Sequence, residues 1–223
     1  MAILPIYTFD HPVLKRETAA IEDMDDALAE LIENMFVTME NADGIGLAAN
    51  QVGVSRSLTV IDVALINDEE GDDGGKTPED RKKKKDTARN AEAENSSDEE
   101  ETAPARTKIA LINPVIVDLA GDEVDYVEGC LSLPELTGTV IRPEQVTVRY
   151  LDRDMQEQEL TADGLLARVI QHEVDHLHGV YFFERMTPLR RARLHNKLKR
   201  IARGMTPAAY PLYEGSGKKR RII

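Results

Sequence analysis

The sequence predicts an α+β fold: antiparallel β-sheets packed around a central helix, with another helix towards the N-terminus and a third towards the C-terminus. Three observations predict it. Apolar residues recur with helical period in only three stretches. Short runs rich in Val and Ile, punctuated by Gly and Pro, fill much of the remainder. One long charged segment, with nothing to contribute to a core, interrupts the pattern.

The chain opens Met1-Ala2-Ile3-Leu4-Pro5-Ile6 and reaches Asp10, His11 and Lys15 with no basic leader and no long apolar run, so no signal peptide is expected. No stretch approaches the ~20 apolar residues of a membrane span. Cys130 is the single cysteine of the 223 residues, which excludes an internal disulfide and suits a reducing compartment. A soluble cytoplasmic protein with no membrane partner is therefore predicted. The formal charge of −13 argues against a general nucleic-acid binder, so no DNA partner is expected.

The first helix should run from about Asp25 to Asn41. Leu28, Leu31, Ile32, Met35, Phe36 and Met39 form one apolar stripe at helical spacing, Asp25 or Asp26 can cap it, and Gly44 lies beyond its end. A small, glycine-rich segment follows, Gly44-Ile45-Gly46-Leu47-Ala48-Ala49-Asn50-Gln51. It permits close backbone approach by a ligand and presents the amide side chain of Gln51. Ser57 to Val63 is a β-branched strand. Residues 67–107 then carry 14 acidic and 8 basic residues, and their only apolar side chains are alanines. Such a segment cannot offset its ordering entropy and is expected to be a disordered, solvated insertion. Residues 1–66 and 108–204 are left as a single domain.

The chain recovers at Lys108, with two short strands broken at Asn113-Pro114. Val146, Val148 and Tyr150 alternate with polar residues in a further strand. The second helix should begin near Thr161 or Asp163 and end at Gly179, with Leu165, Val169, His172 and His176 along one side. The third begins at Thr187-Pro188, a capping residue followed by proline at the first helical position, and continues to about Gly204. Between 189 and 203 it carries seven basic and no acidic residues. Residues 205–223 remain as a C-terminal tail.

The chemistry lies in the second helix, which reads Gln171-His172-Glu173-Val174-Asp175-His176. Histidines four apart project from one helix face and can reach one metal ion, with Glu173 beside it free to act on water. A catalytic site ordinarily has three protein ligands. A peptidase built on such a helix finds its third ligand downstream, but position 182, where one class places another His, is Phe182. Glu184 is a downstream alternative. The thiol of Cys130, in Glu128-Gly129-Cys130-Leu131-Ser132, is a better ligand for a borderline-soft ion. Arg168, one turn before His172, should line the cleft with its stem and carry its charge to the rim, and Arg149 is a candidate partner for Asp175.

Taken together and in this order, the loop Gly44–Gln51, the segment Glu128–Ser132 and the helix Gln171–His176 resemble peptide deformylase. The likeness extends from His11-Pro12-Val13-Leu14-Lys15 through the third helix. The resemblance implies that Cys130, His172 and His176 bind a divalent ion, favouring Fe²⁺, for which Zn²⁺, Ni²⁺ or Co²⁺ can substitute. It implies hydrolysis of N-formyl-methionyl nascent peptides to formate and a free methionyl amine. Glu173 would be the general acid–base, and the Gln51 side chain and the Leu131 backbone N–H would stabilise the oxyanion. Ile45, Gly46, Glu128, Gly129, Leu165 and Val169 would line the methionine pocket. A ribosome contact through the basic helix 189–203 is the further partner that the resemblance suggests.

Overall fold

The computed structural model describes residues 1–63, 108–214 and 218–219. The charged insertion expected at 67–107 lies outside these residues. The described chain is α+β, as the sequence predicts. A five-stranded antiparallel sheet comprises β1 (Gly46–Ala48), β2 (Leu58–Asp62), β3 (Lys108–Gly129), β4 (Thr137–Leu151) and β5 (Glu157–Ala162), paired in that order. The helices are α1 (Asp26–Asn41), α2 (Gly164–Leu177), α3 (Pro188–Ala192) and α4 (His195–Ala202).

Local signals account for α1. The Asp25 carboxylate accepts from Leu28 N at 2.6 Å, and Leu28, Ile32, Met35, Phe36 and Met39 are buried. Along β2 and the start of β3, alternate side chains enter different cores. Leu58, Val60, Ala110 and Ile112 pack with α1, whereas Ile61 and Leu111 pack with Leu165, Val169 and Ile170 of α2. This part of the sheet therefore has a helix on each face, which explains why β2 is buried along its whole length.

Three boundaries differ from those the sequence predicts. Asn113-Pro114 does not divide two strands: β3 continues through it to Gly129, with a register shift between Ile112 and Val115. Asn113 adopts φ 51°, and its side chain accepts from Ile21 N at 2.8 Å and donates to Ile21 O at 2.7 Å. A bulge absorbs the proline that a regular ladder would reject. The third helix is two helices, because Arg193 and Leu194 bond back to Arg190 and Arg191 at i−3 spacing and tighten the chain between them. The domain also does not stop at 204. Leu212 is buried in the core beside Ile6, and Tyr210 packs against the same cluster. Beyond them β6 (Tyr213–Glu214) pairs with β7 (Lys218–Lys219). No described helix is long and apolar enough to cross a membrane.

Candidate metal centre

Helix α2 enters the molecule between β1 and β4 with nearly every residue after Leu166 buried. It ends where the sequence predicts: His178 takes the C-cap position and Gly179 adopts φ 69°. A side chain at 179 would collide with the Lys15 backbone, 2.7 Å from where its Cβ would lie. His172 and His176 stand one turn apart with ring centroids separated by 4.8 Å. Cys130 follows the last residue of β3, in a turn closed by Leu133 N donating to Cys130 O at 2.8 Å. Its Sγ lies 3.2 Å from His176 Nε2. The ligand atoms of Cys130, His172 and His176 all fall within 4.8 Å of one another. Ligands of one tetrahedral ion sit about 3.3–3.6 Å apart, as follows from metal–ligand distances of about 2.0–2.3 Å, so the three fit with small side-chain movements. Glu184, the downstream alternative, is engaged elsewhere: it binds Lys15 Nζ at 2.6 Å and Tyr181 N at 2.8 Å.

The donors are also electronically suited to a cation. His172 Nδ1 faces Glu128 Oε2 at 2.8 Å, which leaves Nε2 for an ion. Burial alone would lower the His172 pKa. Hydrogen bonds with Cys130 and Glu128 outweigh it and raise the value to about 10. These contacts favour positive charge where the three donors meet, and a bound cation would take the place of the proton on Nε2. Burial and the neighbouring His172 push His176 well below its usual value, so it stays neutral with a lone pair to offer. One thiolate and two imidazoles suit a divalent first-row metal.

Behind His172 lies a buried charge network with no local sequence signal. Arg142 donates to Glu128 Oε1 at 2.7 Å and Oε2 at 3.1 Å, and reaches Asp175 Oδ2 at 2.7 Å. Arg185 forks onto Asp175, and Arg168 contacts Glu128 at 3.1 Å. Although burial opposes ionisation, the His172 and Arg142 contacts hold the Glu128 carboxyl well below the usual range. Three expectations are revised here. Arg149 pairs with Glu157 and Glu159 on the surface, not with Asp175. Arg168 does not reach the rim: it is 5% exposed, and its guanidinium also donates to Val124 O and Val140 O. Glu128, placed by the sequence among pocket residues, has its carboxylate engaged by His172, Arg142 and Arg168, so it orients the His172 ring. Arg142→Met should lower stability by about 3 kcal/mol, the low end for breaking a buried ion pair because each carboxylate keeps one arginine. Urea unfolding of the two proteins measures it.

The remaining predicted residues converge from β1 and the turn after it. Glu173 is 5% exposed, and its carboxyl lies against Gly46, where an added Cβ would stand 2.6 Å from Glu173 Oε1. Gly46 is thus the close-approach position, serving Glu173 rather than a substrate contact alone. Burial pushes the Glu173 pKa up to about 7. The Gln51 amide is fixed at both ends: Oε1 accepts from Ala48 N at 2.8 Å, while Nε2 points to Ser132 Oγ at 3.2 Å and Cys130 Sγ at 3.5 Å. Ile45 packs against the cluster that holds Leu165 and Val169. Gly129 ends β3 opposite Thr137, beside Cys130. Leu131 follows the thiol directly. Ser132 and Asn50, fully buried here, were not singled out from the sequence. Asn50 donates to the carbonyl of His176 and ties the glycine-rich segment to α2.

Comparison with known proteins gives this geometry a context. The family model described as polypeptide deformylase matches residues 3–192. A peptide deformylase of Salinibacter ruber is 40% identical over 210 residues, covering 94% of this chain and 94% of that one. One of Syntrophobacter fumaroxidans is 40% identical over 200 residues, covering 90% and 96%. Among solved structures, a peptide deformylase of Legionella pneumophila superposes with a TM-score of 0.69 at 34% identity, covering 91% of this chain and 96% of its own. One of Synechococcus elongatus in complex with actinonin gives 0.67 at 37% identity, with 88% and 89% covered. Agreement at this length, in sequence and in fold, shows that the chain belongs to the polypeptide deformylase family, metal-dependent hydrolases that remove the formyl group from N-terminal methionine.

Proposed function

We propose that Cys130, His172 and His176 hold one divalent ion, Fe²⁺ by preference with Zn²⁺, Ni²⁺ or Co²⁺ as substitutes, and that Glu173 carries the proton of the reaction. The observation behind this is the mutual placement of three ligand atoms within 4.8 Å with a buried carboxyl on the same helix. An ion bound there supplies Lewis acidity, lowering the pKa of a water and polarising the formyl oxygen. Everything else falls to the chain. Glu173 takes a proton from the attacking water and returns it to the amine as the carbon–nitrogen bond breaks, giving formate and a free methionyl terminus. The raised affinity of its carboxyl for a proton suits both transfers. The Gln51 Nε2 group and the Leu131 N–H donate to the oxyanion that develops at the formyl carbon. Gln51 is preorganised by its bonds to Ala48 and Ser132, so its amide need not be ordered during the reaction.

Methionine selectivity rests on Ile45 and on Leu165 and Val169 of α2, which share an apolar cluster, with Gly46 and Gly129 keeping the backbone close. The test is formate release from a formyl-methionyl tripeptide, with metal analysis of anaerobically purified protein. Stoichiometric metal and turnover support the reading; absence of turnover in metal-replete protein overturns it.

The substrates are formylated nascent chains, which sets the work in the cytoplasm and beside the ribosome. Helices α3 and α4 fit a contact with ribosomal RNA. Leu194, Leu198 and Ile201 are buried, whereas Arg191, Arg193, Lys197, Lys199, Arg200 and Arg203 are exposed. Cosedimentation with ribosomes should fall as salt rises, because phosphate contacts release counterions. Substituting Glu at 193, 197 and 200 should abolish it at moderate salt; equal binding by both proteins rules this surface out.

A further inference from the structure

We infer that the C-terminal segment 206–213 is a positioning element for the two oxyanion donors, with Tyr210 acting through Leu131. The inference rests on the donor roles proposed above for Gln51 and Leu131. Tyr210 lies beyond residue 192, where the family match ends. Its hydroxyl nevertheless donates to Leu131 O at 2.8 Å, across 79 residues of sequence. A bond to that carbonyl restrains the backbone of the residue whose N–H faces the reaction. The Leu131 side chain is held from the other side, its Cδ1 only 2.8 Å from where a Cβ on Gly44 would stand.

The second donor is tied to the same segment through the N-terminus. Tyr7 N donates to Gln51 O at 2.7 Å, and Phe9 N donates to Ser132 O at 3.1 Å. Residues 7–9 therefore bridge the turn bearing Gln51 and the loop bearing Leu131. The C-terminal segment fixes this bridge from outside. Ile6 N donates to Pro211 O at 2.9 Å, Tyr213 N donates to Ile6 O at 2.8 Å, and Leu212 is buried beside Ile6. Tyr213 stacks on Tyr7 with ring centroids 3.9 Å apart. The Tyr7 ring in turn rests on Gly53, where φ is 87° and a Cβ would meet the ring at 2.5 Å. Two strips of backbone, from opposite ends of the described domain, thus lock the two donor-bearing turns at a fixed separation. A segment needed only to cover the core would require Leu212 but not the Tyr210 hydroxyl on the carbonyl of Leu131, the residue whose backbone is the donor.

The test is Tyr210→Phe, which removes the hydroxyl and keeps the packing. With a formyl-methionyl tripeptide, kcat should fall roughly three- to tenfold. Removing an oxyanion donor outright costs about 100–1,000-fold, and here the donor is loosened, not deleted. KM should stay within about twofold and metal stoichiometry should not change. Amide hydrogen exchange of residues 130–132 in metal-free protein should accelerate. Unchanged kcat with unchanged exchange overturns the inference, and so does a lower melting temperature with unchanged kcat, which would make Tyr210 a structural anchor alone. If wild-type protein releases no formate, the deformylase reading fails instead, and the exchange comparison still decides whether Tyr210 holds the loop.

Discussion

Glu173→Ala should leave metal stoichiometry intact and lower kcat by roughly 10²–10⁴-fold, the usual worth of a positioned general acid–base. The residue is set apart from the ligands by geometry. His172 and His176 are the helical pair, while the Glu173 carboxyl turns towards Gly46, with one buried oxygen that has no hydrogen-bond partner among the described residues. An unpaired buried carboxyl oxygen is costly and ordinarily absent from a structural site. Burial and the negative Glu128 raise its pKa, and the positive neighbours His172 and Arg142 offset this in part. A cation held by the adjacent ligands shifts the balance further towards the ionised form that accepts a proton. Glu173→Gln preserves the packing against Gly46 and should match the alanine variant in turnover, which separates lost proton transfer from lost shape. Metal analysis alongside steady-state kinetics checks both. Near-normal turnover in either variant would remove Glu173 from the mechanism.

The parts of this protein that were legible from sequence share one property: their signal is local. The α1 stripe and its Asp25 cap lie within one helix and its first turn, and the spacing of His172 and His176 is a property of any helix. Gln51 is legible as an amide at the end of a small, glycine-rich segment, again a local signal. Cys130 stands out as the lone thiol, and its pairing with the histidines rests on its chemistry as a soft donor and on the resemblance, not on spacing.

What the sequence hid is decided at long range. Whether Asn113-Pro114 breaks a strand or bends it depends on Ile21, which supplies both partners of the Asn113 amide from 92 residues away. The resemblance puts Glu128 in the pocket, two residues before Cys130. Only Arg142, 14 residues on, and Arg168, 40 residues on, show that its carboxylate faces inward. Arg168 itself could not be placed by helical phase, which gives a direction but not whether a buried acceptor waits there. The end of the domain was misplaced for a similar reason. Leu212 lies in a short run, Met205 to Tyr213, with neither helical nor strand period, and its value as core comes from residues distant in sequence, Ile6 among them.

Cys130→Ala should abolish stoichiometric metal binding and, with it, activity, while leaving the fold in place. The fold does not depend on the thiol. The turn around it is closed by backbone bonds, Leu133 N to Cys130 O at 2.8 Å and Leu136 N to Leu133 O at 3.0 Å, and Ser132 O is bound by Phe9 N. The side chain is only half-buried, so its removal opens no closed cavity. Its loss as a ligand is another matter. Removing a partner that merely orients a ligand typically costs roughly 10–100-fold in metal affinity. Glu128→Gln, which weakens the hold on His172, should fall in that range. Removing the thiolate deletes one of three protein donors and the only soft one, so the loss must exceed it, leaving two imidazoles that cannot hold a divalent ion against a chelator. Inductively coupled plasma analysis after dialysis, with circular dichroism to confirm the fold, orders the three proteins: wild type, then Glu128→Gln, then Cys130→Ala near zero. If Cys130→Ala retains one ion per chain at wild-type affinity, the third ligand lies elsewhere and the proximity of Sγ to His176 Nε2 is packing alone.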